Sequence, residues 1–255
     1  MIGIIYNEWL KSWYGRKTWL FSLVMLVFIA GAIALSLFTE SAMQEPLDAA
    51  TVAELSAYLF PVIVMIFGVV LIAGAIAGEF SNGTIKQLLI RPASRHSLLF
   101  GKWFGNLLLS ILVLFITILL STTLSVLIFN TETTSVTETF SLALEVTLYQ
   151  IPTLVFYMAL ATLVAVLTKS TALTIVITFS PLFFSSVLQM FISQYEWAKW
   201  AVISHIEFLS NYYGTDLAIG NPPFENMWAS LAFLLIHIIV ILIVTHVVFK
   251  KRDVL

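Results

Sequence analysis

The sequence contains no cysteine, so disulfides, thiolate nucleophiles and cysteine-ligated metals are excluded. Charged residues are also scarce, at 10% of the 255 residues, against roughly 25% in an ordinary soluble domain. Hydrophobic residues make up 60%, and the mean hydropathy is +1.01. A soluble chain of this length has too little interior to bury so much apolar surface. The composition therefore indicates an integral membrane protein, and it disfavours a secreted enzyme, a nucleic-acid binder and a disordered scaffold.

Long apolar runs predict an all-α membrane protein. A helix needs about 20 mostly apolar residues to cross the hydrocarbon core of a bilayer. Six runs meet this need, at residues 19–38, 58–78, 103–129, 147–168, 171–193 and 228–249. They are continuous rather than alternating, which disfavours a β-barrel. Since the spans and their loops use up the chain, we expect a single transmembrane domain over residues 1–255.

The placement of the basic residues predicts the orientation of these spans. Lys199 alone lies on one side of the predicted topology. The other eleven of the twelve basic residues share the opposite side: Lys11, Arg16, Lys17, Lys86, Arg91, Arg95, Lys102, Lys169, Lys250, Lys251 and Arg252. By the positive-inside rule, that side and both termini are cytoplasmic. Most acidic residues, Glu54, Glu145 and Glu207 among them, fall at or near the outer face.

Residues 2–17 are typical of an amphipathic helix lying in the membrane interface. Apolar residues recur at three- and four-residue steps: Ile2, Ile5, Trp9 and Trp13. Glu8 and Lys11 fall on the other side of such a helix. A plain cytoplasmic tail with aromatic anchors is the alternative.

The stretch between the second and third spans, residues 79–95, has the pattern of a docking loop. Asn82-Gly83 predicts a turn, after which Thr84 can cap a short helix that Pro92 ends. That helix presents apolar side chains between basic ones: Ile85, Leu88 and Leu89 between Lys86, Arg91 and Arg95. An apolar knob with a basic rim suits a cytoplasmic partner. Contact with anionic lipid is an equally good interpretation of the residues alone.

The loop motif resembles the signature of type 2 ABC-transporter permeases. The resemblance is carried by Glu79, Gly83-Thr84, Leu88-Leu89, Arg91-Pro92, Ser94-Arg95 and Lys102, together with the six spans, the cytoplasmic termini and the N-terminal in-plane helix. In that family the loop is a coupling helix that sits in a groove of the ATP-hydrolysing subunit. The resemblance implies this role for Glu79, Gly83, Thr84, Ile85, Lys86, Leu88, Leu89, Arg91, Pro92 and Arg95. It also implies short extracellular helices between spans five and six, in residues 194–227. Glu79, at the membrane boundary, is expected to brace the loop against the N-terminal helix or Lys102.

The fifth span carries a stripe of polar side chains. Its members recur at helical spacing: Thr171, Thr174, Thr178, Ser185 and Gln189. The resemblance implies that the stripe lines a translocation path, as this span does in the family. Hydrogen bonding between neighbouring helices of the same chain is an equally good interpretation.

Two absences bear on the mechanism. No Asp, Glu, Lys or Arg lies near the centre of any predicted span, which disfavours a proton-coupled carrier. His237 is the one ionisable residue near a centre, and we expect a neutral imidazole bonded to a neighbouring helix. A phosphate-binding loop is missing, since Gly101-Lys102 is followed by Trp103. The chain is therefore expected to bind no cofactor and to be no enzyme itself, with ATP and Mg²⁺ held by a separate subunit.

Taken with the resemblance, these features predict the permease subunit of an ATP-driven exporter in the bacterial plasma membrane. Its expected partners are two ATPase subunits, a second identical or related permease chain and membrane lipids, but no nucleic acid. A hydrophobic or amphipathic cargo suits the apolar core: a lipid, a peptide antibiotic or a drug, with resistance or self-immunity as the favoured guess. Sodium export stays open, although no acidic cluster lies within the spans. The rival functions are a non-transporting regulatory protein that holds a partner through its basic loop and an intramembrane enzyme, for which paired acids and a histidine cluster are lacking.

Overall fold

A computed structural model describes residues 2–84, 94–213 and 222–251, apart from the side chain of Ser186. These ranges are helical and contain no β-strand, only an isolated bridge between Asp48 and Asn130. The long helices are α1 (Ile2–Tyr14), α2 (Lys17–Met43), α3 (Ala49–Ser81), α4 (Arg95–Ile128), α5 (Val136–Thr168), α6 (Thr171–Ile192) and α9 (Met227–Lys251). Between α6 and α9 lie a 3₁₀ helix (Glu196–Trp200), α7 (Ile203–Ile206) and α8 (Phe208–Tyr212). The predicted all-α class is confirmed.

Five of these helices are long and apolar enough to cross a membrane: α2, α3, α4, α5 and α9. They coincide with five of the six predicted spans. The predicted fifth span coincides with α6, in which a shorter apolar stretch runs from Thr171 to Ser185. Such a set of helices is that of a multi-pass membrane protein.

Three helices begin well before the predicted spans. The helix α3 begins at Ala49 rather than 58, α4 at Arg95 rather than 103, and α5 at Val136 rather than 147. Polar caps set the last two starts, because Ser94 Oγ accepts a hydrogen bond from the Ser97 N–H at 3.1 Å and Ser135 forms a capping box with Glu138. At 1.5 Å per residue these helices are about 50 Å long, well over the roughly 30 Å hydrocarbon core.

The centre of the fold is α3, which packs against α4 on one side and α5 on the other. Both α3 and α5 contain completely buried small residues, namely Ala73 and Ala77 in α3 and Ala161 and Ala165 in α5. Small side chains let helix backbones approach closely, so the contact is made by van der Waals packing rather than by a solvent-driven effect. The helices α2 and α9 lie at the periphery and expose broad apolar faces.

The N-terminal helix α1 lies directly on α4. A Cβ added at Gly105 would be only 3.2 Å from the Cα of Ile5, and one at Gly101 would be 2.9 Å from Ile4 Cγ2. The Trp9 Nε1–H donates to the Gly105 carbonyl oxygen at 2.7 Å. Two glycines one turn apart therefore form the surface on which α1 sits.

The buried face of α1 includes polar residues as well as apolar ones. Glu8, expected on the polar side, is only 5% exposed, and Ser12 is buried with it. Ile2, expected on the apolar side, is 84% exposed. The helix α1 therefore packs on α4 through Ile5 and Trp9 of the apolar stripe, and it also places Glu8, from the polar side, against the bundle.

The close approach at Gly105 makes a specific prediction about stability. Replacing Gly105→Leu should destabilise the purified protein by about 1–3 kcal/mol, since the new side chain meets the backbone of α1, which has no flexible end to move aside. Gly31→Leu in α2 is the matched control, because nothing lies within 4 Å of a Cβ at that position. Thermal unfolding in detergent, followed by tryptophan fluorescence, compares the two. Equal melting temperatures would contradict the packing of α1 on α4.

Candidate functional site

Two glutamates and two lysines form a charge network where α1, the end of α3 and the start of α4 meet. Lys102 Nζ lies 3.0 Å from Glu8 Oε1 and 2.8 Å from Glu79 Oε1. Lys11 Nζ lies 3.3 Å and 3.1 Å from the same two oxygens. Each lysine therefore contacts both carboxylates, and the charge network (Glu8, Lys11, Glu79 and Lys102) is neutral as a whole.

Lys102 is the buried centre of the charge network, with 3% of its surface exposed. Its ammonium has three N–H groups, and the third donates to the Ala75 carbonyl oxygen at 3.0 Å. A charge removed from water is tolerated only when it is paired and its hydrogen bonds are complete. Lys102 meets both conditions, and it does so by joining three helices.

Lys11 is the half-exposed lysine of the charge network. Burial disfavours its charged form, but the carboxylates of Glu8 and Glu79 outweigh burial and raise the pKa of Lys11 above its ordinary value. The lysine therefore stays charged at neutral pH.

Other helix ends converge around the base of the 79–95 loop. The Arg95 guanidinium donates to the Lys250 carbonyl oxygen at 3.0 Å, and the rings of His96 and His246 stack with their centroids 3.5 Å apart. On the α3 side, Phe80 meets Phe249 edge-to-face and lies under the ammonium of Lys169 at 5.4 Å from its ring centroid. Both ends of the loop are thus fixed to the last turn of α9, and one also to the junction of α5 and α6.

The structure describes four of the ten residues expected to form the coupling helix. Glu79 belongs to the charge network and contacts both partners named from the sequence, Lys102 and the N-terminal helix. Gly83 has φ +69°, a left-handed conformation that suits glycine, and Thr84 Oγ1 donates to the Glu79 carbonyl oxygen at 3.4 Å. Arg95 begins α4. The remaining six lie outside the described residues: Ile85, Lys86, Leu88, Leu89, Arg91 and Pro92.

The polar stripe of α6 faces the interior of its own chain. Thr174, Thr178 and Ser185 are completely buried, while Thr171 and Gln189 are half-buried. The Ser185 hydroxyl donates to the Glu207 carboxylate, and Gln189 Nε2 donates to the Ile203 carbonyl oxygen at 3.3 Å. These contacts support hydrogen bonding within the chain. A role in a translocation path stays a prediction.

Two histidines lie near the α7–α9 contact. His205 is buried, donates from Nε2 to the Lys199 carbonyl oxygen and meets the Ser230 hydroxyl with Nδ1, both at 2.8 Å. Burial lowers the pKa of His205, although its bond to Lys199 opposes the shift, so the imidazole is neutral at pH 7. His237 donates to the Phe233 carbonyl oxygen of its own helix, at 2.9 Å. The expected bond to a neighbouring helix is therefore wrong.

Sequence reasoning missed Glu8 and Glu207 as site residues. Each is an isolated acid in the sequence. The partner of Glu8 is Lys102, far along the chain, and the partner of Glu207 is Ser185, on another helix. The scarcity of charges was the available signal, since every acid in so apolar a chain needs either water or a partner. Within the described ranges, no group of three or more His, Asp or Glu side chains is placed to hold a metal ion.

Residues 23–255 match the model of a family described as "Protein of unknown function (DUF2705)". The chain belongs to this family. The matched region contains Glu79 and Lys102, while α1 with Glu8 and Lys11 precedes it. The chain is also similar to "Uncharacterized protein YhcI" of Bacillus subtilis (strain 168), at 28% identity over 210 residues. That alignment covers 76% of this chain and 66% of the relative, just under two thirds of the relative's own length.

The burial of Lys102 predicts a large difference between the two lysines of the charge network. Lys102→Met should destabilise the protein by about 3–5 kcal/mol, because it leaves two carboxylates without their buried partner. Lys11→Met should cost no more than about 1 kcal/mol, since that ammonium is half exposed. Thermal unfolding of both variants measures the difference. Similar melting temperatures would mean that the network is not a structural link.

Proposed function

We propose that this chain is the transmembrane permease subunit of an ATP-driven exporter of the type 2 ABC class. In this proposal ATP and Mg²⁺ are bound by a separate ATPase subunit, present in two copies. A second permease chain, identical or related, completes the membrane core in the bacterial plasma membrane. The cargo is hydrophobic or amphipathic, and the chain itself catalyses no reaction.

The single observation that carries the proposal is the charge network at the base of the 79–95 loop. A coupling loop must transmit the movement of a cytoplasmic partner to the helices that it joins. The loop lies between α3 and α4, and Glu79 and Lys102, near its two ends, are ion-paired to each other and to α1. Through Arg95 and Phe80, the same ends contact α9. Such a base favours movement of the helix ends as one unit, and the loop motif supplies the resemblance to a coupling helix.

The proposed topology has six spans, α2 to α6 and α9, with cytoplasmic termini. The helix α1 lies in the cytoplasmic interface, and the short helices between α6 and α9 lie outside. The distribution of basic residues supports this orientation. The exposed apolar faces of α2, α6 and α9 suit lipid or a second permease chain.

Because the chain has no cysteine, single introduced cysteines test this topology without background. Thr133→Cys, between α4 and α5, should react in intact cells with a maleimide that does not cross membranes. Asn82→Cys, at the end of α3, should react only after the cells are opened. The reverse pattern, or reaction of both in intact cells, would contradict the proposed orientation.

Co-purification tests the coupling role directly. A C-terminally tagged chain, gently extracted from native membranes, should carry a stoichiometric ATPase subunit. Changing Leu88→Asp, Leu89→Asp and Arg91→Glu together should remove that subunit, because the docking surface loses its apolar knob and reverses a basic contact. The matched control is Lys250→Glu with Lys251→Glu, a charge reversal on the same proposed side at the end of α9.

Either of two results would count against the transporter. One is a clean preparation that lacks any ATPase, even with a trapped nucleotide analogue. The other is an ATPase that the triple variant still retains in full. A different cytoplasmic partner, lost from the triple variant, would favour the regulatory protein that holds a factor and moves nothing.

A further inference from the structure

A pocket of about 330 Å³ lies between α3, α5, α6 and the α7–α8 segment. This volume falls in the roughly 300–1,000 Å³ range of small-molecule sites. Its walls are mostly apolar, with Met65, Leu154, Leu182 and Leu209 among them. The polar side chains on its lining are Tyr58, Gln150, Thr153, Glu207, Ser210 and Tyr213. An apolar site with a few convergent polar groups is the usual form of a ligand pocket.

Glu207 places on the pocket lining a carboxylate that no described lysine or arginine pairs with. Its carboxylate accepts a hydrogen bond from Ser185, and in the described part of the chain it forms no salt bridge. Lys199 is the only lysine or arginine between Lys169 and Lys250, and none lies between Lys17 and Lys86. A cleft lined by one sign of charge with apolar walls concentrates ions of the opposite sign.

Two tyrosines, Tyr58 and Tyr213, line the same pocket as Glu207. The ring of Tyr213 lies 6.3 Å from that of Tyr58 and 5.5 Å from that of Tyr149, both tilted. Burial, and then the charges of Glu54 and Glu145, raise the pKa of Tyr213 to about 12. The phenol is therefore neutral at physiological pH and lies in the field of further carboxylates. A neutral aromatic face with negative charge nearby attracts an organic cation.

Three helices around the pocket each contain an interior proline, and all three prolines lie at its level. Pro61 is on the lining, Pro152 stands between the lining residues Gln150 and Thr153, and Pro181 precedes the lining residue Leu182. A proline has no N–H for the carbonyl four residues earlier, which affects Ala57, Leu148 and Ile177. The Ser180 hydroxyl donates to Ile177. The three helices therefore each lack one helical hydrogen bond near the pocket.

We infer that this pocket binds an organic cation with an apolar body, whose charged centre lies between the Glu207 carboxylate and the ring of Tyr213. The Glu207 carboxylate on the lining disfavours an anion. A bare metal ion needs several oxygen ligands at about 2.0–2.6 Å, and the described residues form no such group. That the cation is the exporter's cargo rests on the proposed function, whereas binding to the pocket does not.

Tetraphenylphosphonium and tetraphenylborate test the inference, because they share size and shape and differ in the sign of charge. Equilibrium dialysis of the purified full-length protein in nanodiscs, without nucleotide or partner, measures binding of each probe above an empty-disc background. The wild type should bind tetraphenylphosphonium and leave tetraphenylborate at background. Glu207→Gln keeps an acceptor for Ser185 and should weaken binding roughly tenfold or more, while Glu132→Gln, an exposed acid between α4 and α5, should change nothing.

Two substitutions of Tyr213 distinguish a ring that contacts the cation from a ring that only supports the structure. Tyr213→Phe should bind the cation as the wild type does, whereas Tyr213→Leu should lose several-fold in affinity, because only the ring face attracts the charge. Melting temperatures of all variants show whether they are folded. Equal binding of both probes, or full binding by folded Glu207→Gln, would overturn the inference. If the cation binds but no ATPase co-purifies, the pocket stands and the proposed function fails. If the ATPase co-purifies and no cation binds, the pocket fails alone.

Discussion

The interaction on which the cytoplasmic end of this protein depends is the ion pairing of Lys102 inside the bundle. A lysine ammonium buried to this degree must keep all its N–H groups bonded and its charge balanced. Glu8, Glu79 and the Ala75 carbonyl meet that demand only if α1, α3 and α4 hold one relative position. The charge thus converts a set of apolar helices, which could slide past one another at little cost, into a junction with one register. The close packing of α1 at Gly105 and the Trp9 hydrogen bond belong to the same junction.

Glu207, a half-buried acid, is bonded differently from the two glutamates of the charge network. Its carboxylate has one hydroxyl partner from α6 and no lysine, so negative charge remains on the wall of a pocket. Glu8 and Glu79 are paired with lysines and join helices, whereas the negative charge of Glu207 is left for a positively charged ligand to pair with. The two sites lie on α3 at opposite sides of its middle, with Tyr58 and Pro61 toward one end and Glu79 at the other. Any tilt of α3 therefore affects both.

Hydropathy predicted the long helices well, because a membrane span must satisfy its own backbone within one continuous apolar segment. It predicted their starts poorly, because α3, α4 and α5 each begin before the apolar run. For α4 and α5 the N-terminal cap, not the edge of the hydrocarbon, sets where the helix begins. The loop motif pointed to Glu79 and Lys102, both of which the structure brings together. The sequence pattern did not place Glu8 against the bundle, and it tied His237 to the wrong helix, since a one-dimensional pattern carries no information on which neighbour a side chain meets.

The membrane class, the helical architecture and the asymmetry of charge follow from local runs of residues and from the cost of placing charge in hydrocarbon, so they can be predicted without the fold. The tertiary structure decided which charges are paired. Lys102 and Glu8 are far apart in the chain. The pocket that Glu207 lines also takes Tyr58 and Gln150 from distant parts of the sequence. Pairing and pocket formation require helices from distant parts of the sequence to pack in one arrangement, and that arrangement depends on the summed fit of many small contacts rather than on any local pattern.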